Sequence, residues 1–282
     1  MKRALVLGGG GSYGIAWESG VLVGLAEAGV DVRGADLILG TSAGSQVGTV
    51  VASGLPWEHI WARQVAPVSQ TRQGTSADMS ALFRQLAQIQ ADAKTPEEWL
   101  LSQGALSEQS LTVSEADRLG EVEQRLQLTR WPERLGVVGV NTRSGKRAVW
   151  TKDSGVELIR AVAASSAVPG VYPAVTIDGH QYCDGGVYSM ENADLAEGYA
   201  KVLILCVGLP IPTPYTLDQQ VESLRRAGAE VEVIQPDQTI LSVLKQMGGN
   251  PLNPELRAPV ARAAKTQGRS LAEKIGAFWD LR

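Results

Sequence analysis

At 282 residues the chain can bury a sizeable core, either as one large α/β domain or as two small ones. Its apolar fraction of 44% and charged fraction of 20% are ordinary for a globular protein, and a net charge of −4 supplies no basic stripe for nucleic acid. No uninterrupted apolar run reaches the roughly 18 residues of a membrane span, and Ala4-Leu5-Val6-Leu7 meets four glycines too soon for a signal peptide.

In chain order, Ala4-Leu5-Val6-Leu7 reads as a strand buried on both faces. The stretch Gly8-Gly9-Gly10-Gly11-Ser12-Tyr13-Gly14 follows, then a helix over about 15–28, apolar at Ile15, Val21, Leu22 and Leu25 and closed by Gly29. Asp36-Leu37-Ile38-Leu39 forms the second strand. It ends in Gly40-Thr41-Ser42-Ala43-Gly44, and a helix-compatible run occupies 45–52. Strand, glycine loop, helix and strand make a βαβ unit, so the sheet is at least partly parallel.

Gly-x-Ser-x-Gly between a strand and a helix is the setting of a nucleophile elbow, in which a tight turn lifts the Ser42 hydroxyl above the sheet. Gly40 and Gly44 leave room beside the serine. The plainer reading is a strand-to-helix turn with Ser42 as an N-cap. The earlier glycines also carry two readings. Gly9-x-Gly11-x-x-Gly14 matches a dinucleotide fingerprint, with Asp31 or Asp36 as the ribose acid. Alternatively, the backbone amides of Gly9, Gly10, Gly11 and Ser12 face Ser42 as an oxyanion hole beside a helix N-terminus. The elbow at the end of the next strand favours the second, because neighbouring parallel strands bring both loops to one carboxyl edge.

Residues 57–134 are helical in pattern. Thr95-Pro96-Glu97-Glu98 has an N-cap, proline at N1 and glutamate at N3. Met79, Leu82, Phe83, Leu86 and Ile89 fall at helical spacing, a stripe suited to a core, to a lid over a lipid site or to a face touching a membrane. Ser69 to Ser76 reads as a surface loop. Strands resume at 136–140 and 147–150, with Ser154 and Glu157 as a capping box for a helix to about 164. Val175-Thr176-Ile177 and Gln181-Tyr182-Cys183 flank an Asp178-Gly179 turn, predicting a hairpin that runs into Asp184-Gly185-Gly186. A further buried strand spans 202–207, then a helix over about 217–227, an alternating edge strand at 230–234 and a final helical region after Asn253.

A serine nucleophile needs a base. The only histidines are His59 and His180. No histidine follows Asp184, and His180 lies in a hairpin turn, so a Ser-His-Asp triad is disfavoured and an acid is left as the direct partner of Ser42. Cys183 and Cys206 show no ligand spacing to the histidines. They read as core residues in a reducing, cytoplasmic setting, with no metal and no cofactor expected.

Three ordered blocks, Gly9-Gly10-Gly11-Ser12-Tyr13-Gly14, Gly40-Thr41-Ser42-Ala43-Gly44 and Asp184-Gly185-Gly186, resemble the patatin-like phospholipase family, as does Ala164-Ser165-Ser166-Ala167-Val168-Pro169. The resemblance runs from about residue 4 to 208. It implies a three-layer α/β/α fold with a mostly parallel sheet over a single domain of 1–282. The helical insertion at about 66–134, with its stripe suited to a lid or a core, and the helical extension from about 212 match no family pattern. The resemblance also implies lipid acyl-ester hydrolysis by a Ser42–Asp184 dyad without histidine, with the Gly10 to Ser12 amides as oxyanion hole. Gly14, Gly40, Gly44, Gly185 and Gly186 would support the turns. The implied partner is a lipid or ester substrate, met in transient contact at a membrane surface. A serine esterase or thioesterase acting on soluble short esters, or a nucleotide-binding scaffold, are the alternatives. Tyr13 stands where the family commonly has Arg or Lys, and Val187 to Ala193 keeps an asparagine, Asn192, without the usual following proline.

Overall fold

The computed structural model describes residues 1–68, 79–110 and 113–280. Its strands and helices run β1 (Arg3–Leu7), α1 (Gly11–Glu27), β2 (Leu37–Thr41), α2 (Ala43–Ala52), α3 (Trp57–Val65), α4 (Met79–Asp92), α5 (Pro96–Glu108) and α6 (Glu115–Leu126). They continue through β3 (Leu135–Asn141), β4 (Arg147–Trp150), α7 (Leu158–Ser165), β5 (Val175–Ile177) and β6 (His180–Asp184). β7 (Lys201–Leu205), α8 (Leu217–Arg226), β8 (Glu230–Ile234), α9 (Gln238–Gln246), α10 (Arg257–Ser270) and α11 (Ala272–Phe278) complete the chain.

The strands form one 8-stranded sheet, hydrogen-bonded in the succession β5-β6-β3-β2-β1-β7-β8, with β4 also paired to β3. From β3 through β2, β1 and β7 to β8 every pairing is parallel, whereas β4, β5 and β6 pair antiparallel. The apolar runs read as doubly buried strands are so because the sheet separates two cores. Leu5, Leu7, Leu203 and Leu205 point to one face with α1, α2, α7 and α10. Ala4, Val6, Val202 and Ile204 point to the other, under α8 and residues 193–196. Trp99 and Leu100 of α5 close the second face over Val140 and Cys183. Alternation within a continuous apolar strand thus produces three layers, α/β/α.

Two local expectations differ. The first helix begins at Gly11 rather than near 15, so Gly11 and Ser12 are already first-turn helical residues with outward amides. The expected capping box at Ser154 and Glu157 does not form: Ser154 Oγ accepts the Thr151 N–H at 2.8 Å, and Glu157 caps α7 without a side-chain bond. Thr95 behaves as expected, accepting the Glu98 N–H at 3.1 Å. Of the stripe on α4, Leu82 is buried against Gly170, and Ile89 packs on the Trp99 cluster. The side chains of Met79 and Phe83, and the run Ser69 to Ser76, lie outside the described residues. No described helix is long and apolar enough to cross a membrane.

The C-terminal helices fold back onto the start of the chain. Gly20 and Gly24 of α1 lie against the backbone of α10, and Gly268 of α10 against that of α1. Just before α10, the Pro251 carbonyl accepts the Tyr13 N–H at 2.9 Å, and the Leu252 carbonyl accepts the Ser12 hydroxyl at 3.2 Å. The glycine loop is therefore braced from outside the βαβ unit.

Candidate active site

Strand β3 brings the two halves of the site together. Its Gly40 and Thr41 partners in β2 are registered to Val137 and Val138, while Asp184 of β6 is registered to Gly139. Since β4 pairs with Val137 to Val140 on the opposite edge, β2 and β6 share one edge of β3 and meet end to end. The residue after Thr41 and the last residue of β6 consequently face each other across the join.

There the Ser42 hydroxyl donates to Asp184 Oδ2 at 2.6 Å. Ser42 occupies the N-cap position of α2 with φ 53° and ψ −114°, and its side chain caps no helix amide. Positive φ on a non-glycine residue is a strained pose that surrounding structure must enforce. Here the enforcement is close backbone packing: a Cβ at Gly44 would lie 2.1 Å from the Leu7 carbonyl, and one at Gly40 2.4 Å from the Gly44 carbonyl. The Ser42 N–H donates to Ser165 Oγ at 3.0 Å, and Gly44 N–H to the Gly8 carbonyl at 2.9 Å.

Asp184 is 4% exposed. Its Oδ1 accepts the Gly186 N–H at 2.7 Å and its own N–H donates to the Ala167 carbonyl at 3.0 Å. Burial pushes its carboxyl pKa up to about 6, against the opposing pull of the Ser42 and Gly186 hydrogen bonds and the Arg118 charge. A carboxylate so placed is a far better proton acceptor near neutrality than a solvated aspartate with a pKa of about 3.9.

The glycine loop forms the facing wall. A Cβ at Gly9 would lie 3.4 Å from Ser42 Cβ and 3.0 Å from Met190 Cε. The Gly9 N–H is occupied, donating to the Met190 carbonyl at 2.8 Å. The amides of Gly10, Gly11 and Ser12 have no acceptor among the described residues. Gly14 lets α1 approach Ala43, 3.2 Å from where its Cβ would lie. Tyr13 turns away from the site into the main core and is fully buried.

Some participants carried little signal in the sequence. Asn192, buried with φ 54°, donates through Nδ2 to Thr41 Oγ1 at 3.1 Å, to the Gly185 carbonyl at 3.2 Å and to the Ser189 carbonyl at 2.7 Å. It straps the residue before Ser42 to the residue after Asp184. Its retention after Asp-Gly-Gly was the only hint. Met190, lying between Gly9 and Gly186, had none. His59 and His180 are both exposed, on α3 and at the start of β6. Among the described residues no cluster of three or more His, Cys, Asp or Glu is placed to hold a metal.

The family model described as patatin-like phospholipase matches residues 5–197. Among solved structures, VipD from Legionella pneumophila is similar at 13% identity and a TM-score of 0.47, covering 97% of this chain and 67% of that one. The type III effector protein ExoU is similar at 16% identity and a TM-score of 0.43, covering 97% of this chain and 53% of that one. No curated protein sequence matches the chain.

Proposed function

Because the chain belongs to the patatin-like phospholipase family, we propose that it is a serine acyl hydrolase that cleaves fatty-acyl esters of phospholipids or other lipids. The observation that carries the reading is the 2.6 Å hydrogen bond from a strained elbow serine to an enclosed carboxylate whose pKa is raised to about 6.

In this reading Ser42 Oγ attacks the ester carbonyl carbon while its proton passes to Asp184 Oδ2. The oxyanion that develops is met by the unoccupied amides of Gly10, Gly11 and Ser12, at the positive end of α1. Collapse breaks the ester C–O bond, and Asp184 returns the proton to the leaving alcohol oxygen. Water then attacks the acyl-serine as Asp184 takes its proton, and the fatty acid leaves as that proton is delivered to Ser42 Oγ. Each half of the cycle uses one carboxylate first as base and then as acid, so no histidine is required. Loss of a single oxyanion donor is worth roughly 10²–10³ in rate, so the loop weighs about as much as the base.

Covalent labelling by a fluorophosphonate tests the assignment. The wild type is expected to label and Ser42→Ala is not; a folded wild type that stays unlabelled would sink the hydrolase reading. Hydrolysis of phospholipid in mixed micelles, compared with a dispersed butyrate ester, tests the lipid assignment. Turnover confined to the short ester would replace it with a soluble esterase.

A further inference from the structure

The end of α7 and the loop that follows it touch both members of the dyad. Ser165 Oγ accepts the Ser42 N–H at 3.0 Å, and the Ala167 carbonyl accepts the Asp184 N–H at 3.0 Å. The residue between them, Ser166, is held from a different part of the chain. Arg118 of α6 donates through Nη2 to Ser166 Oγ at 2.9 Å and to the Ser166 carbonyl at 3.3 Å.

Arg118 is unusual for a surface helix. It is 1% exposed, its guanidinium stacks 3.7 Å from the centre of the Tyr172 ring, and its Nε has no acceptor among the described residues. Its one ion-pair partner among the described residues, Glu121 at 3.1 Å, is itself nearly half exposed. A buried cation held this way costs several kcal/mol unless nearby charge compensates it. Asp184 is a buried carboxylate on which the Arg118 charge acts. The other groups facing that carboxylate are the Ser42 hydroxyl, the Gly186 amide and the neighbouring Cys183 thiol, all uncharged as they stand. Arg118 is thus the cation acting on the dyad among the described residues, and it comes from the helical 66–134 insertion.

We propose that Arg118 is a positioning residue for the dyad: its guanidinium, held through Nη1 by Glu121, fixes through Nη2 the 165–167 turn that holds Ser42 and Asp184, and its positive charge compensates the enclosed carboxylate. The role rests on the hydrolase reading above. Arg118 reaches the reacting atoms only through Ser166 and through its field.

The pair Arg118→Lys and Arg118→Met separates guanidinium geometry from charge, with folding checked by far-UV circular dichroism. Fluorophosphonate labelling of Ser42 is followed from pH 5 to 9, with kcat and KM for a butyrate ester. Arg118→Met is expected to label about tenfold to a hundredfold more slowly at its plateau, with KM within about twofold of wild type. Its acid-side midpoint should rise by about one pH unit, because Asp184 loses the cation that favours its ionised form. Arg118→Lys keeps the charge and should hold the wild-type midpoint, yet label about three- to tenfold more slowly because one ammonium cannot hold Ser166 and Glu121 together as Nη2 and Nη1 of the planar guanidinium do. A wild-type midpoint in Arg118→Met, or an upward shift in Arg118→Lys equal to that of Met, would overturn the proposal. If the Met variant does not fold, Arg118→Lys decides: slower labelling at an unmoved midpoint supports the role, and a wild-type rate overturns it. A labelled wild type with unaffected variants removes only Arg118, whereas an unlabelled wild type removes the hydrolase reading and this role together.

Discussion

The two catalytic candidates are held by different physics. On the parallel side, Ser42 is fixed by backbone pressed on backbone: Gly40 and Gly44 admit the Leu7 and Gly44 carbonyls to distances no Cβ tolerates, and φ 53° follows from that crowding. On the antiparallel side, Asp184 is fixed by hydrogen bonds and by exclusion of water, from Ala167, Gly186, Ser42 and the Asn192 strap. The serine's pose is therefore steric and all-or-none, whereas the carboxylate's basicity is electrostatic and graded.

The largest test of that contrast is Gly44→Ala. One methyl 2.1 Å from the Leu7 carbonyl cannot be accommodated without moving β1 or α2, and a loss of more than about 4 kcal/mol is expected in denaturant melts. Folded Gly44→Ala with wild-type labelling would break the comparison. Next, Asn192→Ala removes the three hydrogen bonds donated by one buried amide and the Arg147 bond to its Oδ1, and takes from the Ser189 carbonyl its one donor among the described residues. Its expected cost is about 2–4 kcal/mol, read by urea unfolding, together with slower turnover.

Asp184→Asn moves stability the other way. A carboxyl whose folded pKa is about 6, above its unfolded value, binds its proton more tightly in the native state. Folding stability from this group is thus fully present below pH about 4 and is lost as pH rises through about 6. The neutral amide escapes that loss, so the variant should be about 1–3 kcal/mol more stable than wild type at pH 8 while its turnover is abolished. Equal stability at pH 8 would show that the carboxylate is not effectively desolvated. In the wild type, the same ionisation predicts kcat/KM falling about tenfold per pH unit below pH about 6, with a plateau above it. A flat profile from pH 5 to 8 would assign the base elsewhere. The smallest effect is expected at Arg143→Ala, which breaks an exposed ion pair with Glu108 on the antiparallel side. A change under about 0.5 kcal/mol is expected in thermal melts.

The parallel half was legible because its signals are local. Ala4 to Leu7, the glycines, Leu37 to Leu39 and Gly-x-Ser-x-Gly each declare themselves within a few residues, and the Asp178-Gly179 hairpin does so through turn chemistry, with Asp178 at φ 49°. Ser42 and Asp184 could be singled out by motif and by the lack of a downstream histidine. The contacts that hold them could not. The end-to-end meeting of β2 and β6 is a property of register on β3, and no strand sequence specifies which edge it shares. Arg118 sits in an amphipathic helix where an arginine ordinarily faces solvent. Nor does the Ala-, Lys- and Arg-rich sequence of α10 announce that Gly268 meets Val21 of α1. The occupied Gly9 amide depends on Met190, a residue far away in sequence.

The shared edge of β3 has a mechanical consequence. Where two strands abut instead of lying side by side, the ladder is interrupted, and the main chain on both sides of the break must find partners elsewhere. Ser165 Oγ, the Ala167 carbonyl and the Asn192 amide are those partners, splinting Ser42, Asp184, Thr41 and Gly185 across the gap. The Ser42–Asp184 pair thus occupies a seam in the sheet, and its 2.6 Å hydrogen bond is set by adjacent rungs of a single strand, Val138 and Gly139. Loosening any splint should open the seam before it disturbs either flanking core.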